Sequence, residues 1–83
     1  MKLLIIDDEP IVLQNVKAQI LSMNMSFEGI DTANSAAAAD ELMTENTYDI
    51  FLCDIVMPGE DGISFAKRIL QNNTDCKFIF LTA

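Results

Sequence analysis

Few residues in this chain can do chemistry, and most of them are acids. Asp7, Asp8 and Glu9 stand in a row after the apolar run at residues 3–6, and Asp54 closes a second apolar run at residues 50–53. Carboxylates brought together repel one another unless a proton or a cation intervenes. Hard oxygen ligands with open coordination positions suit Mg²⁺, which keeps several waters and takes one or two protein carboxylates plus a phosphate. A carboxylate can also act as a nucleophile and form an aspartyl phosphate, a reaction that needs positioning and charge neutralisation more than a base. Asp54 has that capacity if Asp7 and Asp8 hold a metal beside it. Thr82 adds a hydroxyl able to donate to a phosphoryl oxygen, and the small Ala83 next to it leaves space for a phosphate. The plainer alternatives are that Asp8 and Glu9 cap a helix and that Asp54 is an ordinary acid in a loop. Capping accounts for neither Asp54 nor the doubled aspartate.

The elements that must position these residues alternate along the chain. Residues 2–7 (KLLIID) form a continuous apolar run, the pattern of a parallel strand covered on both faces. Pro10 then suits the first turn of a helix, and Val12, Leu13, Val16, Ile20 and Met23 recur at helical spacing. Residues 27–33 read as a second strand interrupted by Gly29. Asn34 and Ser35 are a cap pair before a helix over residues 36–45. Residues 49–54 (DIFLCD) are the third strand, residues 57–62 (MPGEDG) a turn cluster, residues 63–71 a third helix and residues 77–82 (KFIFLT) the fourth strand. Strands alternating with helices predict a parallel sheet with right-handed crossovers. In such sheets function gathers at the carboxyl ends of the strands. Asp7, Asp8, Asp54 and Thr82 all fall at that rim, while the opposite rim has only Lys2, Asp49 and Lys77. If the first and third strands are neighbours, Asp7, Asp8 and Asp54 converge.

Composition narrows the function further. The 83 residues allow one small domain, and a hydrophobic share of 51% against 22% charged residues excludes intrinsic disorder. Thirteen acids against five bases give a net charge of −8, so the segment is expected to bind no nucleic acid, which would need clustered Lys or Arg. No apolar run approaches the roughly 18 residues of a membrane span, and the start of the chain does not read as a secretory signal. Cys53 and Cys76 sit inside apolar runs and read as reduced core thiols of a cytoplasmic protein. Cysteine chemistry normally calls for a histidine partner, and the chain has none. The scattered Met23, Met25, Met43 and Met57 read as core filler, and Gly59 and Gly62 as turn formers.

Three segments together, LLIIDDEP at 3–10, DIFLCDIVMPGEDG at 49–62 and FIFLTA at 78–83, closely resemble the receiver domain of bacterial two-component response regulators. The likeness runs over the whole chain, and its order and spacing are jointly specific. It implies a flavodoxin-like (CheY-like) three-layer α/β/α fold with a parallel sheet of strand order 2-1-3-4, and Asp54 as phosphoacceptor. It implies Mg²⁺ held by Asp8 directly, Asp7 through water, Asp54, and the backbone carbonyl of Val56. Thr82 aligns with the switch hydroxyl and the Ala83 N–H with a phosphoryl contact. The implied partners are a sensor histidine kinase and an output domain in the parent protein, of the DNA-binding transcriptional kind.

Receivers continue through a further helix, a fifth strand ending in an essential lysine and a last helix. Residues 1–83 therefore correspond to the N-terminal two-thirds of such a domain, with no catalytic lysine in this chain. On its own this segment is expected to leave part of the fourth strand bare, around Phe78 or Phe80, and to self-associate, for instance as a homodimer. Two rivals remain. One is a truncated or degenerate receiver that signals by contact without phosphorylation. The other is a Mg²⁺-dependent phosphatase of the haloacid dehalogenase type, whose Asp-x-Asp pattern after the first strand is absent from Asp7, Asp8, Glu9.

Overall fold

Residue alternation decides which face each side chain serves, and in a sheet covered on both sides every strand residue has a face to fill. The computed structural model describes residues 1–81. They form β1 (Lys2–Ile6), α1 (Pro10–Ser22), β2 (Gly29–Ala33), α2 (Ala36–Met43), β3 (Ile50–Asp54), α3 (Gly62–Asn72) and β4 (Lys77–Leu81). All pairings are parallel and the strand order is β2-β1-β3-β4, the flavodoxin-like arrangement expected.

The central strand β1 shows why its sequence is apolar without a break. Leu3 and Ile5 join Leu13, Val16 and Ile20 of α1 on one face, while Leu4 and Ile6 join α2 and α3 on the other. All four are essentially inaccessible, and each such burial contributes about 2 kcal/mol. The α2/α3 face carries the aromatic part of the core. Phe51 stacks on Phe78 with centroids 4.5 Å apart and takes Tyr48 and Phe65 edge-on. The Tyr48 hydroxyl donates to Asp31 Oδ2 at 2.5 Å, which satisfies a buried phenol and ties the loop before β3 to β2.

Helix starts follow local chemistry. Ser35 caps α2 by accepting from the Ala38 N–H at 3.0 Å, and Asp61 caps α3 by accepting from the Ser64 N–H at 2.8 Å. Glu9 occupies the cap position of α1 with Pro10 following, but its side chain makes no cap bond.

Several expectations need correcting. Met23 and Met25 are more than half exposed, because they fall after the last turn of α1, where Asn24 takes φ 58° and turns the chain away. Met57 is buried and Met43 packs against the same core, as expected. Phe78 and Phe80 are not the bare part of the fourth strand. They pack against the aromatic cluster, and the period of two puts Ile79 on the other face, 53% exposed. Asp49 stands one residue before β3; its N–H donates to the Lys2 carbonyl at 2.9 Å, its carbonyl accepts from the Lys77 N–H at 2.9 Å, and its carboxylate accepts the Lys2 N–H at 2.8 Å.

The two glycines of the turn cluster are not equivalent. Gly59 sits at φ +82° in open space, a left-handed turn position. At Gly62 a Cβ would stand 2.1 Å from the Asp54 carbonyl oxygen, so only glycine lets α3 start against the end of β3. Gly62→Ala is therefore expected to cost about 2 kcal/mol or more despite the better helix propensity of alanine. Gly59→Ala should cost about 1 kcal/mol, through its backbone alone. Urea midpoints of the two variants check this ranking, and an equal or reversed order would show that the β3–α3 junction yields easily.

Candidate functional site

The register between β1 and β3 builds the site. Ile6 lies opposite Cys53, so the next residue on each strand, Asp7 and Asp54, emerges side by side at the carboxyl end of the sheet. Asp8 follows in the bend before α1. Carboxylate oxygens of Asp7, Asp8 and Asp54 all lie within 4.8 Å of one another. The convergence foreseen for neighbouring first and third strands is present, and Glu9 is outside this group.

Each acid has a different setting. Asp7 is only 5% exposed. Its backbone N–H donates to the Ala33 carbonyl at 3.1 Å, which binds the end of β1 to the end of β2. Its Oδ1 accepts the Glu9 N–H at 2.9 Å. Asp7, and not Asp8 or Glu9, thus serves the backbone at the start of α1, and the capping alternative fails for the two residues it invoked. Asp8 is exposed and Asp54 is half-buried. Asp54 Oδ1 accepts the Val56 N–H at 3.3 Å, which turns the carboxylate toward the loop after β3, while the Val56 side chain projects into solvent.

Electrostatics follow from this crowding. Burial raises the Asp7 carboxyl above the usual carboxylate range. The Glu9 N–H partly opposes this, and the charges of Asp54, Asp8 and Glu9 raise it further. The Cys53 thiol is pushed up to about 12, mainly by burial and then by Asp54 and Asp7. It is an inert core thiol, as its place in the strand suggested. Among the described residues the ion pairs of the N-terminal ammonium and Arg68 reach other acids, not these three. A cluster of hard oxygens with no cationic neighbour of its own fits a divalent ion such as Mg²⁺. Leu81 lies opposite Asp54; Thr82 and Ala83, assigned the switch and phosphoryl contacts, lie outside the described residues.

Comparison with known proteins agrees with this geometry. The family model of the response regulator receiver domain matches residues 3–83. The chain is 34% identical to the sensory transduction protein LytR of Staphylococcus epidermidis over 83 residues, covering all of this chain and 32% of the relative. It is 30% identical to the transcriptional regulatory protein PhoP of Escherichia coli, again over all of this chain and 36% of the relative. The chain thus spans about a third of the length of these curated relatives. Among solved structures it is similar to the response regulator TrrA of Thermotoga maritima in complex with Mg²⁺-BeF, with TM-score 0.87 and 33% identity. That likeness covers 99% of this chain and 69% of TrrA. TrrA has also been solved in complex with the histidine kinase ThkA, with TM-score 0.85 against this chain. This chain belongs to the response regulator receiver family.

Reasoning from sequence found the three acids but missed two side-chain ties elsewhere in the fold. Tyr48 with Asp31 had no signal beyond a lone tyrosine beside an acidic strand start. Arg68 bridges Asp40 and Glu60, and an arginine eight residues after a loop glutamate was the available hint.

Mg²⁺ is expected to bind weakly, at about millimolar concentration, because such a site keeps several waters. Asp8→Ala should abolish that binding and Glu9→Ala should change it little; titration showing equal losses would mean that the wrong acid was chosen. The metal-free protein should show the raised Asp7 as well. A carboxyl raised above its unfolded value contributes stability when protonated, and this is lost as pH rises through the folded-state value. Asp7→Asn keeps an acceptor for the Glu9 N–H and removes the charge. It should raise the metal-free melting temperature at pH 7 and flatten its fall above pH 4.

Proposed function

We propose that this chain is the phosphoacceptor part of a response regulator, taking a phosphoryl group from a phosphohistidine of a sensor kinase onto Asp54. The observation that carries this reading is the convergence of Asp7, Asp8 and Asp54 at the carboxyl ends of two adjacent parallel strands. An Asp54 carboxylate oxygen attacks phosphorus, the phosphorus–nitrogen bond breaks, and the electron pair leaves with the imidazole. Asp8 and Asp54, with Asp7 through water and the Val56 carbonyl, would hold Mg²⁺. When bound, the ion offsets negative charge between carboxylate and phosphoryl oxygens. The Val56 N–H steadies Asp54 from the loop side, and the buried Asp7 orients the start of α1 beside it. Thr82 and the Ala83 N–H are assigned the phosphoryl oxygens.

The phosphoryl group is then a signal and not a product, so this part of the protein is an acceptor rather than an enzyme. The names of LytR and PhoP and the TrrA–kinase complex support a sensor kinase as donor and a transcriptional, DNA-binding output domain as recipient of the signal.

Asp54→Asn decides the assignment. The intact protein, incubated with Mg²⁺ and a small acyl phosphate, should acquire acid-labile, hydroxylamine-sensitive phosphate, and the variant should acquire none. Undiminished labelling of Asp54→Asn would overturn the reading.

A further inference from the structure

Arg68 makes more contacts than an ordinary surface residue of a helix. Its Nη1 and Nη2 donate to the two carboxylate oxygens of Asp40 on α2 at 3.1 and 2.9 Å. Its Nε and Nη2 donate to the two oxygens of Glu60 at 3.2 and 2.7 Å. The guanidinium also lies 5.2 Å from the centre of the Phe65 ring, which limits its rotation. One fork therefore engages two carboxylates bidentately, a geometry that lysine cannot reproduce.

What Arg68 joins gives the arrangement its meaning. Glu60 belongs to the loop between β3 and α3, the loop that leaves Asp54 and carries Val56. That loop is tied at its start by the Gly62 N–H on the Ile55 carbonyl at 2.8 Å and by the buried side chain of Met57. Beyond Met57 it passes through Gly59, which has open space around its Cα and a left-handed backbone. Glycine there offers little resistance to movement. Asp61 ties the end of this stretch to α3 through Ser64, and Glu60 ties it to Arg68 on α3 and, through Arg68, to Asp40 on α2.

We propose that Arg68 is a positioning residue of the phosphoacceptor site. It clamps Glu60 against α2 and α3, so that the β3–α3 loop keeps Val56 against Asp54 and presents the Val56 carbonyl to the metal. This inference rests on the proposed role of the acidic cluster. The clamp is half-exposed, so its effect is modest and screened by salt.

Two readouts on the intact protein test it: the amide resonance of Val56 without metal, and the midpoint of a Mg²⁺ titration. R68Q and E60Q should each move the Val56 resonance and weaken Mg²⁺ binding about threefold. The double variant should be no worse than R68Q alone, because both changes break the same tie. D40N, which leaves the Glu60 arm intact, should have the smaller effect, and R68K should fail to restore the wild-type titration. If R68Q and E60Q lower the melting temperature but leave both readouts unchanged, Arg68 is only a structural brace and the proposal is overturned. If the wild-type protein binds no Mg²⁺, the phosphoacceptor reading fails instead. The Val56 resonance then decides the clamp alone: moved in E60Q it stands, unmoved it falls.

Discussion

Neighbouring parallel strands in register end together, and in this chain the ends are acidic. Pairing Ile6 with Cys53 leaves Asp7 beside Asp54, and the bend after β1 adds Asp8 to the same few ångströms. Such crowding opposes folding, since like charges at short range raise the free energy of the compact state. The fold holds it because the apolar halves of the same strands are buried on both faces, where each large side chain contributes about 2 kcal/mol. The core thus maintains an electrostatic strain that a cation can relieve. The buried sheet holds the acids side by side; they do not attract one another.

The surroundings of the cluster are arranged to hold backbone as much as charge. Asp7 is divided between the acidic cluster and the start of α1, through its acceptor bond from Glu9, and it also binds β1 to β2 through its own N–H. Gly62 lets α3 approach the carbonyl of Asp54 as no other residue can. Arg68 ties the following loop to both helices of that face. Three different devices, a buried carboxylate, a missing Cβ and a bidentate ion pair, converge on the two junctions that carry Asp8 and Val56.

Among the described residues, hollows border β4 on both faces of the sheet. A groove of about 510 Å³ runs along α3 and β4 between Ala66, Leu70, Phe78 and Phe80. An apolar hollow of about 240 Å³ lies between Ile20, Phe27, Leu52 and Ile79. Among the described residues no helix is long and apolar enough to cross a membrane.

Much of this protein was legible in its sequence because the signals are local. The unbroken apolar runs read as strands covered on both faces, Ser35 and Pro10 marked helix starts, and the acids at strand ends pointed to one rim. Motif order and spacing supplied the family, and with it the strand order. What sequence could not decide is what depends on side-chain direction and distant approach. Whether Asp8 capped a helix or joined Asp7 and Asp54 was open in the sequence; in the fold its carboxylate lies with theirs, and the Glu9 N–H is met by Asp7. Phe78 and Phe80 were apolar on any reading, but only the register of β4 on β3 set them against Phe51 and left Ile79 outside. Met23 continued the helical stripe of α1 and Met25 read as core filler, but the chain leaves the helix after Ser22 and turns at Asn24, which exposes both. Arg68 found its two acids 28 and 8 residues away, a pairing that exists only once α2, α3 and the loop are packed together. Hydrophobic periodicity repeats along the chain and can be read from it, whereas a bond between side chains far apart in sequence is fixed only by the packing that brings them within 3 Å.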